Sequence, residues 1–95
     1  MSNNIKLMQL ISGAYTYSMF KTNFKSEDYG EIPVYGIEIC NDTECSSIED
    51  ISDSAQEVTE LFKLIYELEL FPEHLADVVE DFLADRNLIT DSSMS

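Results

Sequence analysis

Two hydrophobic periods divide the chain. From Ala14 to Phe24 the string AYTYSMFKTNF sets Tyr15, Tyr17 and Met19 against Thr16 and Ser18. This is a period of two, rich in β-favouring aromatics and without a helix cap, and it predicts a strand. Ile5 to Ile11 reads as the start of that strand, which Gly13 then breaks or bulges. The polar KSEDYGE leads into IPVYGIEIC, whose Val34, Ile37 and Ile39 predict a second strand running to about Cys40. Pro33 suits a strand's first residue or an edge, and Gly36 marks a bulge or a close backbone approach. Asn41 to Glu44 is a turn, and Cys45 to Ile51 is expected to return as a short third strand.

After residue 52 the period changes to 3.6. The pairs Asp53 with Gln56 and Ser54 with Glu57 are overlapping capping boxes, which satisfy the unpaired N–H groups of a helix start. Val58, Leu61, Phe62, Ile65 and Leu68 form one apolar stripe, with Glu57, Glu60, Lys63 and Glu67 opposite, so a helix is expected over about 53–70. Pro72 stands where a second helix tolerates it, and Leu75, Val78, Val79, Phe82 and Leu83 repeat the stripe to about Arg86. The polar tail, residues 90–95, is expected to fray. The reading is one α+β domain over 1–95: a small antiparallel sheet of two to three strands, about 5–50, then two amphipathic helices, about 53–70 and 72–86, on one of its faces.

Charge sharpens this picture. The first 26 residues carry Lys6, Lys21 and Lys25 and no acid, while all 19 Asp and Glu follow, offset only by Lys63 and Arg86. The halves therefore carry +3 and −17 for a net −14, a field that repels nucleic acid and anionic membrane and attracts basic protein surfaces. With 44% hydrophobic residues, five Tyr and five Phe, the chain is no disordered acidic polymer. The N-terminus lacks the apolar core and cleavage site of a signal peptide, and no apolar run is long enough to cross a bilayer, so a cytoplasmic protein is expected.

Catalytic chemistry has little to stand on. The single histidine, His74, lies at a predicted helix start, suited to capping or packing, and no glycine-rich phosphate loop or calcium loop is present. The expectation is a non-enzymatic protein with no cofactor and no metal. Cys40 and Cys45 are placed to meet across a hairpin, yet two cysteines without a secretion signal read as reduced thiols. They are too few for a structural zinc site. Tyr15, Tyr17, Phe20 and Phe24 with Lys21 and Lys25 read as strand residues and an interface, not as a single-strand nucleic-acid platform, because such a platform would work against the net charge.

The partner-binding candidates are Glu73, Asp77, Glu80, Asp81 and Asp85. Four of them recur every four residues along the second helix and Glu80 widens the row. Like charges at that spacing oppose helix formation by roughly 0.2–0.5 kcal/mol per pair, a cost with two readings: an ordinary solvated face, or a use. Such a use would be imitation of a phosphate backbone toward a groove lined with Lys and Arg.

The runs Tyr35-Gly36-Ile37-Glu38-Ile39, Glu49-Asp50-Ile51-Ser52, Pro72 with His74-Leu75, and Asp77-Val78-Val79-Glu80-Asp81-Phe82-Leu83 resemble a family of small acidic bacterial proteins of unknown function, over roughly residues 29–84. The resemblance implies a bacterial or phage-borne module and carries no activity. In size and charge alone the chain is also similar to phage-encoded anti-CRISPR and anti-restriction inhibitors. The first functional reading is an acidic inhibitor of a nucleic-acid-binding protein or nuclease. The alternative is a regulatory adaptor that binds a protein through its sheet edge, or through an apolar patch around Tyr15, Tyr17 and Tyr35. Dimerisation through an exposed edge at the Tyr15–Phe24 strand belongs to the same reading, and neither direct nucleic-acid nor membrane binding is expected.

Overall fold

The structure, a computed structural model, describes residues 4–28 and 30–94, with side chains described through position 84 except at Ser26. Four strands, β1 (Asn4–Ser12), β2 (Tyr15–Ser26), β3 (Gly30–Cys40) and β4 (Cys45–Ser52), form one antiparallel sheet in the order β1-β2-β3-β4. Helix α1 (Ala55–Glu67), a 3-10 turn (Pro72–His74) and helix α2 (Leu75–Met94) follow. The expectation of two or three strands is thus corrected to four.

The missing strand is β1. Ser12 pairs with Tyr15, leaving Gly13 and Ala14 as a two-residue hairpin loop in which Gly13 alone has positive φ, +60°. A glycine at the first central position is the signature of a type II′ turn, whose twist matches the flanking strands. Gly13 therefore reverses the chain into a new strand, and the break or bulge expected within one strand is corrected to a turn between two. As a result β2 lies inside the sheet, paired on both sides, and β1 takes one edge, with β4 at the other. The edge expected at Tyr15–Phe24 is corrected accordingly.

Tyr17, Met19, Ile37 and Ile39 point to one sheet face and are 0–2% exposed, as are Val58, Leu61, Phe62 and Ile65 of α1 and Leu75 of α2. These residues form the core with Ile51 and Val79. Helix α1 begins after Ser54, whose hydroxyl accepts from the Glu57 N–H at 3.3 Å; Ser52 takes up the Ser54 N–H and donates to the Glu57 carboxylate. Of the two predicted pairs, Ser54 with Glu57 supplies the cap, with the Ser52 hydroxyl standing between the Ser54 N–H and the Glu57 carboxylate. The helix ends in a Schellman motif: Glu69 N–H donates to Tyr66 C=O and Leu70 N–H to Ile65 C=O, with Glu69 left-handed at φ 51°. Leu68, placed in the buried stripe by its spacing, is the C-cap residue within this motif and is 59% exposed. The second helix starts at Leu75 because the Pro72 segment tightens into the 3-10 turn first. The frayed tail expected at 90–95 has no described side chains.

Gly36 is buried because β4 bulges over it. Tyr35 pairs with Ser52 and Ile37 with Ile48, so residues 49–51 all stand opposite Gly36 alone. The thiol expectation is overturned as well: Cys40 and Cys45 form a disulfide. Asn41 N–H donates to Glu44 C=O at 2.8 Å and closes the turn, while the Asn41 side chain accepts from both Thr43 and Glu44 N–H. The next pair along, Cys40 and Cys45, is therefore of the non-hydrogen-bonded kind, in which strands approach most closely. Their Cα atoms are 4.1 Å apart.

Candidate protein-binding surface

Helix α2 and its preceding turn put Glu73, Asp77, Glu80 and Asp81 on the surface, while Leu75 and Val79 turn inward and Val78, Phe82 and Leu83 pack at the margin. The α-helical period that buries the apolar stripe forces this outcome. Among the described residues none of Asp77, Glu80 and Asp81 has a cationic partner, and Glu73 has only His74, at 3.8 Å. The Asp85 side chain lies outside the described residues. The described part of the row is thus an exposed carboxylate face.

A second feature lies where α1 ends. Leu68, Glu69, Leu70, Phe71 and His74 line a shallow notch of about 240 Å³. Phe71 stacks between Tyr15, at 5.6 Å between ring centroids, and His74, at 6.2 Å. Beneath it Tyr17 meets the edge of Tyr66 and donates its hydroxyl to Leu70 C=O at 3.1 Å. The apolar patch expected around Tyr15, Tyr17 and Tyr35 is corrected here. Tyr17 is fully buried, and the other two are half-buried against the core.

Burial, followed by the charge of Glu69, holds the Tyr17 phenol above its ordinary value of 10.0. The folded state therefore keeps this proton where the unfolded chain has lost it. The stabilisation is fully present below pH 10 and is lost as pH rises from there through the folded value, at up to about 1.4 kcal/mol per pH unit. Urea melts between pH 8 and 11 are expected to show this decline, with a flatter profile for Tyr17→Phe; equal slopes in the two proteins would disprove the assignment.

The third feature escaped the sequence reading. β1 carries Ile5, Leu7, Met8 and Ile11, which are 50, 47, 36 and 63% exposed. Helix α1 lies across β2, β3 and β4 and α2 lies by β4, so the helical layer leaves β1 largely bare. Lys6 and Met8 pair with adjacent residues of β2, which makes Leu7 a bulge. The signal was there in the apolar residues of NIKLMQLIS, which fall on both faces of one strand. The other edge contrasts with it. β4 is bent by its bulge and exposes Glu49 and Asp50, the devices by which sheets keep edges from pairing.

Among the described residues, one group has metal-ligating chemistry: Glu38, Cys40 and Cys45, with ligand atoms within 4.8 Å of one another. The disulfide leaves both sulfurs without a thiolate, and a single carboxylate is a poor site. No described helix is long and apolar enough to cross a membrane.

Residues 1–85 match the model of a family of unknown function, DUF6514, and the chain belongs to that family. Comparison with curated proteins gives no significant match, and neither does comparison with solved structures.

Proposed function

We propose that this member of the family is a non-enzymatic protein-binding module that takes its partner by strand addition at β1. The observation that carries the reading is the contrast between the two edges of one sheet. β4 is kinked by its bulge and acidic, while β1, with a one-residue bulge at Leu7, presents the outward N–H and C=O groups that β2 does not pair, flanked by exposed Ile5, Leu7, Met8 and Ile11. Unpaired N–H and C=O groups supply affinity in such additions, and side chains on alternate positions supply selectivity. Only Lys6 is charged in this strand, so the incoming segment is expected to be apolar and to carry little charge.

A second reading uses the exposure of Glu73, Asp77, Glu80 and Asp81. In it these residues, with Asp85, present a phosphate-like row to the basic groove of a nucleic-acid-binding protein or nuclease, and the chain acts as an inhibitor of the anti-restriction kind. The two readings separate in one experiment. The wild-type chain, an edge variant (Leu7→Lys with Ile11→Lys) and a face variant (Asp77→Lys with Glu80→Lys and Asp81→Lys) are each immobilised and exposed to bacterial lysate. Addition of a foreign strand predicts a captured protein that the edge variant loses, the face variant keeps and 0.5 M salt does not elute. Loss with the face variant and elution by salt would transfer the function to α2.

A further inference from the structure

We infer that the segment that adds to β1 is β1 of a second copy, so that two chains join edge to edge in an antiparallel pair and their sheets fuse into one of eight strands. This rests on the reading of β1 as a strand-addition edge and names its occupant.

Charge is the first argument. Each chain carries −14, and two copies brought together repel over most of their surfaces. The sector formed by β1 and β2 is the exception, because residues 1–26 hold no carboxylate at all. An antiparallel join along Asn4–Ser12 brings in one Lys6 from each chain. Because a two-fold axis sets a residue against itself only at the middle of the strand, the two lysines, near one end, are held apart. A second copy is therefore a partner that meets this chain without opposing carboxylates.

Closure is the second argument. A two-fold pairing uses the same strand on both sides, so it consumes the one edge of each protomer that carries no carboxylate. The edges left outermost are the two copies of β4, each kinked at residues 49–51 and bearing Glu49 and Asp50. The assembly stops at two. A foreign strand on β1 would leave that strand's own far edge open, whereas the self-pairing leaves none unprotected.

The side chains agree. Ile5 and Met8 pair with Lys21 and Met19 on the face that carries the helices, whereas Ile11 pairs with Thr16 on the other face. A second β1 therefore finds apolar side chains above and below its backbone. That is the pattern of a strand buried on both faces at the centre of a sheet, and β1 has it at the rim.

Sedimentation velocity of the full chain from 1 to 200 μM, with hydrogen exchange at both ends of that range, tests the inference. The expected result is a dimer whose β1 amides gain protection as it forms. Leu7→Lys with Ile11→Lys, both at exposed positions, is expected to weaken it by roughly 100-fold while the circular dichroism of the monomer is unchanged. A wild-type monomer throughout the range overturns the inference. So does a dimer indifferent to the edge variant, or a ladder of larger species. If the wild type is monomeric while the edge variant still loses a captured protein from lysate, the occupant is a foreign strand and the strand-addition reading survives. If neither happens, both fall.

Discussion

Phe62→Ala is expected to cost about 3–5 kcal/mol, the usual range for emptying a buried phenylalanine site. Phe62 is fully buried in α1, flanked by Leu61 and Ile65 of the same helix, and that helix lies across β2, β3 and β4. A domain of this size has a total stability of roughly 5–15 kcal/mol, so the substitution removes about a fifth of it or more. The melting temperature is expected to fall by about 12 °C or more, at ~4–8 °C per kcal/mol. Urea unfolding followed by circular dichroism reads the change. Leu64→Ala, at a position 44% exposed, is the control and should stay within about 0.5 kcal/mol. A loss below 1 kcal/mol at Phe62 would mean that α1 does not carry the core.

That helix was legible in the sequence because two independent signals agreed. The overlapping boxes at Asp53 and Ser54 place its start to within a residue or two of the Ser54 cap, and the 3.6 period puts Val58, Leu61, Phe62 and Ile65 on its inward face. Its end was not legible. Glu69 takes the left-handed position that glycine ordinarily fills in a Schellman motif, so the stop carries no sequence mark and the stripe was extended to Leu68. At the other end of the chain, β1 was merged with β2 because a glycine in a β pattern is ambiguous between a bulge and a turn. What decides it is the pairing partner, which is a long-range fact: Met8 with Met19, Leu10 with Tyr17. The edge position of β1 follows from the same pairing and was hidden for the same reason. The carboxylate row of α2 was easy to see, because helical spacing alone generates it, and for that reason it says least about function.

Gly36→Ala is the second large effect, expected at about 3 kcal/mol, the upper end for overpacking. A Cβ at this position would run into the Ile48 carbonyl oxygen and come within 2.7 Å of Glu49 Cα. Both are backbone atoms, so no rotamer change relieves the collision, and β4 itself must move. The bulge cannot stay closed over β3, and the amides of residues 45–52 are expected to exchange faster while those of β1 and β2 keep their protection. This links a buried glycine to association. The bulge holds Glu49 and Asp50 on the rim and bends β4 away from pairing. Once it is displaced, the outer edge of each protomer loses its defence, and the variant is expected to form species larger than a dimer at concentrations where the wild type does not. Sedimentation velocity at 20 °C, below the melting transition, distinguishes this from aggregation of unfolded chains. Unaltered exchange across β4, with less than 1 kcal/mol of destabilisation, would show that the bulge is not what keeps Gly36 a glycine.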